Sequence, residues 1–172
     1  LDENKKPVIF NDEVRSLQFR GNRAISDHKL ALRVTTTPSA LSRRTLRLPF
    51  GARRCLNRLY LPRDLTNLEL YYREHGYYDV KVDTVITPFA KGAVGVTFAI
   101  VEGAPTMLRS YRVTGLEGIG DSASIMNGLR LRTGGPFDLG LFFADLDSIT
   151  RRLRNSGYFR AATYREYRRP AD

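Results

Sequence analysis

Sulfur chemistry is almost absent from this chain of 172 residues, which has one cysteine, Cys55. A single thiol forms no intrachain disulfide and builds no zinc site. Cys55 lies among Arg53, Arg54 and Arg58. Such surroundings favour a thiolate, yet an incidental thiol is the simpler reading. Histidine is nearly as scarce: His28 and His75 are far apart, with no cysteine near either to complete a metal or catalytic set. No apolar run approaches the roughly 18–20 residues that span a bilayer, so the segment is not itself expected to be transmembrane. No leader pattern opens the chain, which begins at Leu1 and reads as a mature or excised piece of something longer. No nucleophile–base pair of a hydrolase is evident. The stretch "GLEGIGD" (115–121) lacks both the G-x-G-x-x-G spacing and a Walker lysine, and reads as a turn rather than a phosphate loop.

Acidic residues are missing from one long window. Between Asp27 and Asp64 there is no carboxylate, while Lys29, Arg33, Arg43, Arg44, Arg47, Arg53, Arg54, Arg58 and Arg63 fall inside it. The whole chain carries a net charge of +10. Such an excess favours acidic partners: nucleic acid, anionic headgroups or acidic proteins. The rest of the composition, 42% apolar and 27% charged, is that of a folded domain rather than a disordered segment.

The chain also repeats itself, the first thing to seek in any sequence. "VRSLQFRGNRAISD", from Val14, aligns with "LRSYRVTGLEGIGD", from Leu108, and Gly21 falls on Gly115. "LPRDLTNLELYYREHGYY" (61–78) aligns with "FFADLDSITRRLRNSGYF" (142–159). There Asp64, Arg73, Gly76 and Tyr77 fall on Asp145, Arg154, Gly157 and Tyr158. The first copy is longer between the two blocks, and its arginine-rich segment lies in that interval. Two unequal copies are too few for a solenoid and read as tandem small domains, about 8–103 and 104–172, divided near "VEGAP".

Each copy predicts the order β-α-α-β-β. Val14, Leu17 and Phe19 suggest a first strand, although the step from 14 to 17 breaks strict alternation. Gly21-Asn22 marks a turn, and Ser26 or Asp27 caps a first helix running to about Val34; Asp121 or Ser122 caps its counterpart. Leu61, Leu65, Leu68 and Tyr72 share one helical face, as do Phe142, Leu146, Ile149 and Leu153. Pro62 suits the first helical turn, and Arg73 and Arg154 favour the negative end of the helix dipole. Asp64 and Asp145 read as first-turn carboxylates rather than a catalytic pair. Gly76 and Gly157 stand where a glycine ends a helix. Tyr78, Val80, Val82, Thr84 and Ile86 then alternate with polar residues as a strand, and Val94, Val96, Phe98 and Ile100 as another. The fold class is α+β: in each copy a three-stranded sheet with two helices on one face. The second copy reaches Asp172 before any counterpart of its last strand.

The order strand–"GN"–"ISD"–helix–"DLxxLExYYRExGYYDVKV"–strand–"VTFxIxEG" resembles the polypeptide-transport-associated (POTRA) domain. It is most similar to the tandem copies that precede the barrel of BamA/TamA-type outer-membrane assembly factors. The basic insertion at about 38–60 departs from the family pattern. The resemblance implies a periplasmic, non-enzymatic module without cofactors, attached to the outer membrane through a barrel outside this chain. Its expected partners are unfolded outer-membrane proteins and accessory assembly subunits. Strand addition at an open sheet edge would supply the binding. By that resemblance the candidate edge is Tyr77, Tyr78, Val80, Val82, Thr84 and Ile86. Gly21, Gly76, Tyr77, Gly115, Gly157 and Tyr158 are structural. Arg43, Arg44, Arg47, Arg53, Arg54, Arg58 and Arg63 form a candidate basic patch. Anionic membrane headgroups are one target for it. The rival reading, a nucleic-acid-binding module using residues 43–63, lacks any accompanying fold signature.

Overall fold

The computed structural model describes residues 12–44, 46, 50–90, 92–166 and 168. The chain divides into two compact units. One is built from residues up to Arg73 together with Tyr77–Ala104, the other from Glu74–Gly76 and the residues from Pro105 onward.

The first unit runs β1 (Glu13–Arg20), α1 (Asp27–Ala31), α2 (Leu41–Arg44), α3 (Leu61–Glu74), β2 (Lys81–Ala90) and β3 (Ala93–Val101). Its three strands lie in the order β1-β3-β2. β1 runs parallel to β3 and β2 antiparallel to it. The last strand in sequence is therefore the middle strand in space. The irregular spacing in β1 has a structural cause: the register shifts between Val14 and Ser16, so Arg15 is the extra residue of a bulge. Across that shift Val14, Leu17 and Phe19 stand opposite Val94, Val96 and Phe98.

That common face is where the core forms. Val96 and Phe98 are fully buried, with Leu30 of α1 and Leu68 and Tyr72 of α3 packed over them. Each such side chain contributes roughly 1.5–3 kcal/mol by leaving water. α1 is shorter than the spacing predicts, ending at Ala31, and Val34 reaches the core from beyond it. Gly21 permits the tight exit from β1. Its φ is 88°, and a Cβ there would lie 2.0 Å from the carbonyl oxygen of Ile100. At the far end of β3, Glu102 accepts hydrogen bonds from the Ala24 amide (2.8 Å) and the Tyr72 hydroxyl (3.0 Å). One carboxylate thus ties the sheet to the helix above it.

The second unit carries α4 (Ser122–Met126) and α5 (Leu139–Asn155). Asp121 caps α4 by accepting from the Ser124 amide, and Asp138 caps α5 by accepting from the Leu141 amide. Ile149 and Leu153 of α5 pack with Ile125 and Leu129, and Phe142 packs with Leu131 and Phe137. Tyr111 and Val113 lie partly buried against these clusters. The strands expected here are missing among the described residues, where an isolated Met107–Pro136 bridge is the pairing present. The first unit explains the difference: β1 and β2 never pair with each other, and both depend on β3. Among the described residues from 108 onward there is no counterpart of β3.

Candidate functional site

A strand in the middle of a sheet has both sides paired, so only β1 and β2 present edges. The basic insertion shields the start of β1. Val14 donates to the Arg54 carbonyl (2.9 Å), Leu56 donates to the Asp12 carbonyl (2.9 Å), and Glu13 and Cys55 form an isolated antiparallel bridge. Ser39 donates to the Val14 carbonyl (2.8 Å), while Leu56 is 98% removed from solvent in the core, with 2% exposed. The insertion is therefore anchored at its root rather than a freely solvated loop.

Among the described residues β2 pairs with β3 alone. Val82, Thr84 and Ile86 point toward the helices, while Lys81, Asp83, Val85 and Thr87 are exposed. The strand begins at Lys81, not at Tyr77: residues 77–80 form the turn out of α3, and Val80 is buried. Tyr77 folds back edge-on to Tyr72, with ring centroids 5.9 Å apart. Tyr77, Tyr78 and Val80 therefore support the edge instead of forming it. At the other end, Pro88 has no N–H and the register breaks between Pro88 and Ala90. The usable edge is Lys81–Thr87. Part of it is already occupied. The Asp83 carboxylate accepts from the Thr84 amide at 2.7 Å, which places that N–H on the outer side of β2. Charge and self-capping are common ways to keep an edge from aggregating.

The arginines of the candidate patch do not act alike. Arg43 is held inward by Glu13, at 3.2 Å. Arg53, Arg54, Arg58 and Arg63 are exposed. Arg47 and the side chain of Arg44 lie outside the described residues. Arg33, also in the carboxylate-free window, stacks over the Tyr71 ring at 4.3 Å. Among the described residues no group of three or more His, Cys, Asp or Glu could hold a metal ion. No helix among them is long and apolar enough to cross a membrane.

Comparison with known proteins places this architecture. The profile of the POTRA family, described as a surface antigen variable number repeat, matches residues 13–103 and matches residues 107–170 a second time. The chain belongs to the POTRA family. Among solved structures it is similar to one titled "Crystal structure of Haemophilus Influenzae BamA POTRA3-5", at 20% identity and a TM-score of 0.45. That likeness covers 88% of this chain and 59% of the other, so the chain spans 59% of that structure's length. No curated protein matches.

Two features recur in both POTRA copies. The first is the helix end. Gly76 and Gly157 take positive φ angles of 87° and 95°. Tyr77 donates to the Tyr72 carbonyl and Tyr158 to the Leu153 carbonyl, each at 3.0 Å. Both are six-to-one reversals of the kind only glycine closes without strain.

The second is a buried carboxylate. Asp64 is fully buried, and accepts from the Thr35 amide (2.7 Å), the Thr36 amide (2.9 Å) and the Thr36 hydroxyl (2.6 Å). Asp145, also buried, accepts from the Arg130 amide (2.9 Å) and the Leu131 amide (2.9 Å). The first-turn reading is thereby corrected. Asp64 does lie in the first turn of α3, but Asp145 sits farther along α5, which starts at Leu139. What the two POTRA copies share is a clamp: a helix carboxylate binding the backbone amides that follow the first helix.

Proposed function

We propose that this chain is the periplasmic POTRA module of an outer-membrane β-barrel assembly or translocation factor, made of two domains at about residues 8–103 and 104–172. It binds extended segments of unfolded outer-membrane proteins and docks accessory subunits, without enzymatic chemistry. The barrel that would tether it lies outside this chain. The observation that carries this reading is the Lys81–Thr87 edge of β2, unpaired among the described residues while the start of β1 is shielded. An extended peptide gains sequence-tolerant affinity there through backbone hydrogen bonds. Tolerance of sequence suits a clientele of many different barrel strands.

The test is an NMR titration of the full chain with peptides copied from barrel strands. Amide shifts concentrated on residues 81–87 support the reading. Shifts scattered away from any sheet edge, or no binding at millimolar peptide, reject it.

A further inference from the structure

The basic insertion does more than shield β1. Its described residues between Leu41 and Tyr60 expose large apolar side chains that lie outside the core cluster of the first unit. Leu41 is 61% exposed, Leu46 65%, Phe50 61% and Leu59 73%. The exposed guanidinium groups of Arg53, Arg54 and Arg58 lie between Phe50 and Leu59 in the same segment. At the root of the insertion is a concavity of about 230 Å³. Thr35, Thr37, Arg54, Asn57 and Tyr60 line it. These are hydroxyl, amide and guanidinium groups, all able to donate to a phosphate oxygen.

We infer that the insertion is a membrane-surface anchor, seated on an anionic phospholipid bilayer. Its arginines would meet headgroup phosphates, and Phe50 and Leu59 would enter the headgroup–acyl boundary. Basic residues mixed with exposed leucine and phenylalanine are the composition of segments that lie in a bilayer interface. Nucleic acid accounts for the arginines but gives the exposed leucines nothing to do. The anchored ends support the same assignment. Hydrogen bonds from Val14 to Arg54, from Leu56 to Asp12 and from Ala40 to Ala52 hold Ala40 and residues 52–56 in place before any lipid arrives. The inference is independent of strand binding at β2, which lies on the opposite edge of the sheet.

The experiment uses the full chain and two sets of vesicles, pure phosphatidylcholine and phosphatidylcholine with phosphatidylglycerol, in flotation assays at low and physiological salt. The protein should float with the anionic vesicles and stay with the soluble fraction when the vesicles are neutral. Two double variants change exposed side chains only: Arg54→Gln with Arg58→Gln, and Phe50→Ser with Leu59→Ser. The arginine pair should lose about fivefold in binding per charge removed, roughly 25-fold together. The apolar pair should lose binding as well, and amide spectra of both should match the parent. Because the chain contains no tryptophan, L59W adds a single fluorescent reporter. Its emission should shift to the blue with anionic vesicles. Equal binding to neutral and anionic vesicles, or binding to neither, overturns the inference. Loss in the arginine pair with an unchanged apolar pair and an unshifted L59W also overturns it. That pattern assigns the surface to a soluble polyanion, either an acidic protein or nucleic acid. None of these results moves the peptide shifts on residues 81–87.

Discussion

Replacing Asp64 separates two accounts of why both copies carry an aspartate there. If the carboxylate merely favoured the helix dipole, Asp64→Ala would cost about 0.3–1 kcal/mol. The geometry demands more. Alanine removes the acceptor of three hydrogen bonds and leaves the Thr35 and Thr36 amides without partners beneath a fully buried side chain. Each stranded donor costs about 1–3 kcal/mol. The expected loss is therefore about 3–5 kcal/mol, a large part of the roughly 5–15 kcal/mol that stabilises a typical domain. Asp64→Asn is the milder probe. It keeps one acceptor oxygen but turns an NH2 toward one of the two amides, so it should lose about 1.5–3 kcal/mol. Urea unfolding followed by circular dichroism measures both, and hydrogen exchange at Thr35 and Thr36 reports the local effect. The reasoning fails if Asp64→Ala costs less than about 1 kcal/mol. It also fails if the two amides exchange no faster in the variants than in the parent. Asp145→Ala should repeat the result in the second unit, at Arg130 and Leu131.

Three further outcomes follow from local geometry. Gly21→Ala should cost more than about 3 kcal/mol, since it adds a backbone clash at Ile100 to the left-handed penalty, while Gly115→Ala, with open space around it, should cost only about 1–2 kcal/mol; paired thermal melts decide whether the difference exists. The Tyr72 hydroxyl is pushed far above its usual range, first by burial and then by its hydrogen bond to Glu102. A raised folded-state pKa means stability fully present below about pH 10 and lost as the pH climbs past it; unfolding against pH should show that loss, and Tyr72→Phe should lessen it, leaving the share of Tyr111, which burial also raises. Asp83→Ala should free the Thr84 amide and strengthen binding of strand peptides about two- to tenfold, the effect of one hydrogen bond, as read from NMR titrations; weaker binding would mean Asp83 contacts the peptide instead.

Much of this architecture is legible in the sequence because apolar spacing reports burial. The alternation from Val94 to Ile100 matches buried residues, and so do the four-three-four faces of α3 and α5, with Leu65 and Leu146 partly buried. Even the irregular step from Val14 to Leu17 carries information, since a bulge at Arg15 produces it. What stays hidden is carried by backbone groups, which look alike at every position. The amides that Asp64 clamps belong to Thr35 and Thr36, far upstream, and nothing in those residue types announces them. The insertion's attachment through the Arg54 carbonyl and the Leu56 amide is invisible for the same reason; Leu56, one apolar residue among arginines, is the single hint. Strand order is equally silent. The alternating pattern from Tyr78 to Ile86 marks a strand but overextends it, because the half-buried Tyr77 and Tyr78 and the buried Val80 lie in the turn out of α3 and are covered without strand pairing.

The central place of β3 bears on the order in which the first unit can assemble. A chain delivered from its N-terminus presents β1 at the outset and its partner strand β3 only at the end, after α1, α2, α3 and β2. Parallel pairing across that much chain is slow to form. During the wait, the amide of Val14 and the carbonyl of Asp12 can pair with Arg54 and Leu56, which arrive much sooner. The insertion thus gives the first strand a companion on one side well before β3 arrives and keeps it in the finished fold, and β3 completes the sheet by pairing with β1 and β2 at once.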